Sequence, residues 1–283
     1  MPSNTAHRAP VDLSEPAYRG IVDLDRYPIH DLHSEQGRAL IRQCRETLAQ
    51  EGACALEGFI TPEAVAGMVA IADRLEEKAW VTDRPHTVYF EEVDATVPAA
   101  HPRARTVRSA KHGIAYDYIP ADAPMRTLYE SDDLTRFIAA VLEKPVLYRS
   151  ADPLDALQIT KFFPTEELGW HFDRSEFSIT VMYEPAEQGG LFEYVPALRT
   201  ETDECYDEVQ KVLEGDPSRV KLLSSAPGTL AFFHGRHAMH RVTPVGGARP
   251  RINSVLTYGT QPDMRLNDLT SKIFYGRTSA RPA

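Results

Sequence analysis

The chain has 283 residues, 42% of them hydrophobic and 25% charged, ordinary globular proportions that argue against wholesale disorder, a collagen-like repeat or a coiled coil. Lys and Arg number 31 against 41 Asp and Glu, and the net charge of -10 speaks against a surface that coats nucleic acid or an anionic membrane. Three scattered cysteines, Cys44, Cys54 and Cys205, are too few for a disulfide framework or a thiolate zinc site; they read as reduced thiols of a cytoplasmic protein, and no apolar run reaches the ~20 residues of a membrane span.

Residues 1–19 read as a loose polar tail without the apolar stretch of a secretory signal. Over 34–50, Leu40, Ile41, Cys44 and Leu48 recur at helical spacing, and Gly52 suits the helix end. Residues 53–60 form a short apolar run, a predicted strand. Thr61-Pro62-Glu63 is a helix start: a capping hydroxyl, proline at the first helical position and an acid in the first turn. Val65, Met68, Val69, Ala72 and Leu75 continue that helix on one face. Residues 81–126 show no clear period. They carry proline, mixed charge and the basic group Arg105, Arg108, Lys111 and His112, and they read as a long loop region. A third helix is predicted over 131–144, with Leu134, Phe137, Ile138, Val141 and Leu142 as its stripe.

The character changes near Tyr148. Short apolar or alternating runs follow at 156–163, 168–173, 176–184, 190–195, 220–224, 229–234, 238–243 and 250–259, with one polar helix over 202–214. Eight short strands suit a double-sheet jelly roll. The predicted fold is therefore α+β, one domain over 20–283. Its core is a double-stranded β-helix (jelly roll, cupin-like) over 151–262. Helices from 20–150 wrap one sheet, and a tail follows over 263–283.

Gly169-Trp170-His171-Phe172-Asp173 lies at a predicted strand end. Residues i and i+2 of a strand share a face, so His171 and Asp173 can reach one ion. An imidazole and a carboxylate are two thirds of the 2-His-1-carboxylate triad, which leaves positions open on a non-haem Fe(II). The third ligand must come from a distant strand. His234, His237 and His240 are the candidates, and His240 is favoured because it lies within the strand pattern Met239-His240-Arg241-Val242 and not at the turn. Arg251 opens the last predicted strand, sharing a face with Asn253, Val255 and Thr257. A guanidinium inside a barrel needs an anionic partner, which a bound dicarboxylate would supply. Asn253 and Thr257 are candidate substrate contacts, and Trp170 a candidate wall of the site. Asp155 and Glu193 could meet a substrate amine but read first as structural or surface acids.

In these residues the sequence resembles the Fe(II)/2-oxoglutarate-dependent oxygenases. The block 169–173, then Gly189-Gly190-Leu191-Phe192-Glu193-Tyr194-Val195-Pro196, then His240-Arg241-Val242-Thr243-Pro244, resembles the bacterial branch of free-amino-acid radical halogenases and their hydroxylase relatives. Lys111-His112-Gly113-Ile114 extends the likeness into the first half. The resemblance implies Fe(II) on His171, Asp173 and His240, the 2-oxoglutarate C5 carboxylate on Arg251, O2 as oxidant, succinate and CO2 as co-products, and ascorbate as a helper. In the halogenases of that branch the carboxylate position is a small residue and halide takes the vacated site. Asp173 in that position implies hydroxylation. The expected reaction is hydroxylation of a small polar substrate, a free amino acid or derivative, without nucleic-acid or membrane partners. The alternatives are the same chemistry on a carrier-bound, peptidyl or natural-product substrate, with hydroxylation, desaturation or cyclisation as outcome, and a non-catalytic metal-binding jelly roll.

Overall fold

The computed structural model describes residues 16–281. Its elements, in chain order, are α1 (Glu35–Glu51), β1 (Ala53–Leu56), α2 (Pro62–Arg74), β2 (Trp80–Thr87), β3 (Thr106–Ile114), α3 (Pro124–Tyr129), α4 (Asp132–Val141), β4 (Tyr148–Arg149), β5 (Leu157–Phe162), β6 (Glu167–His171), β7 (Ser178–Glu184), β8 (Gln188–Gly189), β9 (Phe192–Val195), α5 (Tyr206–Leu213), β10 (Lys221–Leu223), β11 (Leu230–Phe233), β12 (Met239–Val242), β13 (Val245–Gly246), β14 (Arg251–Leu256), β15 (Tyr258–Gly259) and α6 (Asp268–Tyr275). All eight predicted core strands are present. No helix among the described residues is long and apolar enough to cross a membrane.

The helices begin and end where local chemistry says they should. Ser34 accepts the Gly37 N–H at the start of α1, and Gly52 closes it in the left-handed region at φ 74°. Thr61 accepts the Ala64 N–H ahead of Pro62 at the head of α2. Ser131 caps α4 through the Asp133 N–H. The apolar stripes of α1, α2 and α4 then share one core with Ile179, Val181, Tyr183, Leu230, Phe232, Ile252 and Leu256, which are alternate residues of β7, β11 and β14. The helical half therefore covers the outer face of one sheet, as expected.

The main sheet has 11 antiparallel strands in the order β1-β11-β7-β14-β5-β3-β6-β12-β9-β10, with β2 paired to β3. It curls on itself as a jelly roll, and its inner face is polar. The register sets Arg251 opposite Phe162, Asn253 opposite Thr160, and His240 opposite His171. The seam between the two halves runs through β3 and β6. There Gly169 is required for space: a Cβ on it would lie 2.5 Å from the Arg108 carbonyl oxygen.

Three expectations are corrected. The region 81–126 holds the paired strands β2 and β3, and β3 sits centrally between β5 and β6. Its signal was hidden because β2 is an exposed edge, where Pro85 is tolerated, and because β3 turns Ser109 and Lys111 inward in place of apolar residues. The tail over 263–283 contains α6, capped by Asn267 on the Thr270 N–H and closed by Gly276 at φ 69°. The tail expected over 1–19 lies outside the described residues as far as residue 15, but Tyr18 is buried and donates a 2.5 Å hydrogen bond to Asp133.

Candidate active site

His171 ends β6, Asp173 follows it, and His240 stands across the β6–β12 ladder. One donor atom from each falls within 4.8 Å of the others. The two imidazole rings are 4.1 Å apart between centroids. Backbone carbonyls fix both tautomers: Nδ1 of His171 donates to Gly169 O at 2.8 Å, and Nδ1 of His240 to Ala238 O at 2.9 Å. Each ring thus turns Nε2 inward, His171 Nε2 3.6 Å from Asp173 Oδ1 and His240 Nε2 3.5 Å from Asp173 Oδ2. Burial, reinforced by His240, pulls His171 down to about 4, so it presents the neutral imidazole a metal needs. Burial by itself would raise Asp173, yet the two imidazoles outweigh it and hold the carboxyl well below the usual range.

This donor set fits ferrous iron: two nitrogen donors and one ionised oxygen donor, with part of the coordination sphere left to others. Buried Gln158 and Thr160 of β5 and Asn253 and Arg251 of β14 sit at alternate positions of paired strands, on one face of the sheet. Arg251 is 4% exposed, and no carboxylate lies within ion-pair distance of it among the described residues. It donates to Asn253 Oδ1, its Nε has no partner, and its guanidinium lies 5.6 Å from the Phe162 ring. Burial pulls its pKa down to about 10. A buried cation with an orphaned donor fits an anionic carboxylate, as the terminal group of 2-oxoglutarate would be.

The other sequence candidates separate. His237 lies against Glu201, and His234 sits in the turn after β11; neither joins the cluster. Trp170 faces the opposite side of β6, in a core with Val88, Phe172, Leu198 and Met239, with Arg241 over its ring at 4.7 Å. It is a core aromatic and not a wall of the site. Asn253 holds Arg251, and Thr257 donates to Asp155 Oδ2 at 3.2 Å. Glu193 is taken up by Arg241 at 2.7 Å.

The sequence singles out Lys111 only as one of a basic group, and gives no signal for Phe90, Phe274 or Tyr275. Of the basic group, Arg108 pairs with Asp83 and His112 with Glu166 on the outer side. Lys111 alone turns inward, its Nζ 3.3 Å from Gln158 Oε1 and 5.1 Å above the Phe274 ring. Tyr275 of α6 donates to Asp155 Oδ1 at 2.5 Å. Phe90 meets the His171 ring edge-on at 5.1 Å and holds a φ of 53°. The alternation 109, 111, 113 would have flagged Lys111 had β3 been recognised as a strand.

The family model for halogenase D matches residues 36–273. The chain belongs to the halogenase D family. A comparison with curated proteins found no match. Several solved structures share the fold of this family member. AviO1 from Streptomyces viridochromogenes Tue57 is 20% identical at a TM-score of 0.53, covering 78% of this chain and 95% of that one. The epimerase SnoN, solved with Fe3+, alpha ketoglutarate and nogalamycin RO, is 16% identical at 0.52, covering 78% and 84%. A prolyl hydroxylase from Trichoplax adhaerens, in complex with a hypoxia inducible factor peptide, is 11% identical at 0.51, covering 80% and 94%. This halogenase D family member thus shares the fold of these enzymes and carries a cluster of two histidines and one carboxylate on its inner face.

Proposed function

We propose that this family member is a hydroxylase of a small polar substrate, a free amino acid or derivative, acting in the cytoplasm without nucleic-acid or membrane partners. One observation carries the reading. Asp173 stands, ionised, between His171 and His240, where the halogenating relatives keep a small residue and admit halide. A carboxylate there would occupy the position that halide needs. His171, Asp173 and His240 would hold Fe(II), and Arg251, steadied by Asn253, would grip the distal carboxylate of 2-oxoglutarate. The bound iron and 2-oxoglutarate would supply oxidising power against an unreactive C–H bond. Phe90, and beyond it Phe274 at 6.2 Å, would keep water from the His171 side of the centre.

The substrate class is supported by two charges that sense each other without touching. Burial pulls the Lys111 ammonium down to about 8, while Asp155 and Asp173 draw it upward. Burial pushes the Asp155 carboxyl up to about 6, opposed by hydrogen bonds from Tyr275 and Thr257 and by Lys111, with Asp152 adding to the rise. Lys111 has no carboxylate within ion-pair distance among the described residues. An ammonium and a carboxylate so placed suit a zwitterion, carboxylate to Lys111 and amine to Asp155.

The test is a panel of free amino acids with Fe(II), 2-oxoglutarate and chloride, read by mass. The expected product carries one added oxygen. A chlorinated product would contradict the hydroxylase reading, and no product across the panel would favour a larger substrate. With the substrate in hand, kcat/KM is expected to fall on both sides of the interval from about 6 to about 8. Below it Asp155 gains a proton and loses its charge, and above it Lys111 loses its proton. Lys111→Met should remove the alkaline limb and raise KM more than it lowers kcat. A flat profile across the interval would separate these residues from substrate binding.

A further inference from the structure

The Asp173 carboxylate is flanked by two groups that are not ligands. Ser178, the first residue of β7, donates a hydrogen bond from Oγ to Asp173 Oδ2. Gly235, just beyond β11, lies beside the same oxygen and leaves it room. A Cβ added to Gly235 would lie 2.2 Å from Oδ2 and 2.9 Å from Cγ of Asp173, and the Asp173 N–H donates to Gly235 O at 3.0 Å. Both groups are set by one ladder, in which Ser178 pairs with Phe233. Oδ1 receives no hydroxyl or backbone donor among the described residues; its polar neighbour is His171 Nε2 at 3.6 Å, whereas Oδ2 has both the Ser178 hydroxyl and, at 3.5 Å, His240 Nε2.

We propose that Ser178 is the positioning residue of the metal centre, with Gly235 as its steric counterpart. The χ2 torsion of an aspartate is broad and roughly two-fold, so a carboxylate on a strand end can present either oxygen. The Ser178 hydroxyl removes that freedom by engaging Oδ2, and the bare Gly235 backbone gives the engaged oxygen room. The carboxylate then offers Oδ1 as its free oxygen, already oriented. The ordering entropy is met by the fold and not by the metal, so the hydroxyl acts on affinity without touching the ion. The inference rests on the reading of His171, Asp173 and His240 as the iron ligands.

The experiment is anaerobic titration of the full chain with Fe(II) alone, compared among wild type, Ser178→Ala, Ser178→Thr and Asp173→Ala, with the thermal midpoint of each metal-free protein alongside. Ser178→Ala is expected to weaken Fe(II) binding by roughly 10- to 100-fold, the usual effect of losing an outer partner of a ligand. Its metal-free thermal midpoint should stay near wild type. Ser178→Thr keeps the hydroxyl on a strand residue and should restore affinity. Gly235→Ala should weaken binding at least as much, because its methyl claims the space of Oδ2. Wild-type affinity in Ser178→Ala, with binding lost in Asp173→Ala, would overturn the role of Ser178 and leave the ligand set intact. Wild-type affinity in Asp173→Ala would overturn the ligand set itself. Ser178→Thr binding as weakly as Ser178→Ala would also overturn the proposal, since the hydroxyl would then not be what matters.

Discussion

In halide-free buffer, Asp173→Ala is expected to abolish iron binding and turnover together, and His240→Ala to do the same. Losing an outer partner of a metal ligand costs about 10- to 100-fold, so losing a ligand should cost more than that in affinity and leave no measurable turnover. The reason is local. His171 and His240 have their Nδ1 atoms committed to Gly169 O and Ala238 O, so each ring has one nitrogen to give. Asp173 supplies the only negative charge of the cluster. Without it, and with no halide added to take its place, two neutral nitrogens remain, one donor short and with no charge to offset that of a divalent ion. Anaerobic Fe(II) titration and succinate release read the two effects separately. A variant with full turnover would remove its residue from the ligand set.

Arg251→Met is expected to raise the KM for 2-oxoglutarate by about 100- to 1,000-fold and to leave Fe(II) binding intact. Two charge-assisted hydrogen bonds are worth roughly 3 to 4 kcal/mol together, which converts to that range at 1.4 kcal/mol per tenfold. The variant should fold. Arg251 is a buried cation whose pKa is already pulled down to about 10 and whose Nε has no partner, so an apolar side chain of similar length relieves an unpaired charge. The metal-free thermal midpoint should therefore hold or rise. 2-Oxoglutarate should stabilise the iron-loaded wild type and not the variant. An unchanged KM would detach Arg251 from the cosubstrate.

Much of this is legible in the sequence. The core strands announced themselves because their outer faces bury Ile179, Val181, Phe232, Ile252 and Leu256 under helices, which writes an alternating pattern. His171, Asp173, His240 and Arg251 are readable because i and i+2 spacing joins the first two, His240 lies in a strand pattern downstream, and Arg251 opens the next strand in the same order. The strands β2 and β3 were not, since β2 is a polar edge and β3 gives its inner positions to Ser109 and Lys111. Helix α6 was lost because a two-turn element has little room for a period, and its Tyr275 gained meaning only against Asp155, a residue far away in the chain. Trp170 was misread because proximity to a ligand in sequence means the opposite face in a strand. Ser178 and Gly235 carried no signal at all: their relation to Asp173 exists only once β7 and β11 are paired.

The most direct test of the central claim is the visible spectrum of the anaerobic protein with Fe(II) and 2-oxoglutarate. A weak charge-transfer band should appear only when both are present, and Asp173→Ala should lack it. Absence of the band from folded wild-type protein, with both added in excess, would contradict the assignment of this site to iron and 2-oxoglutarate.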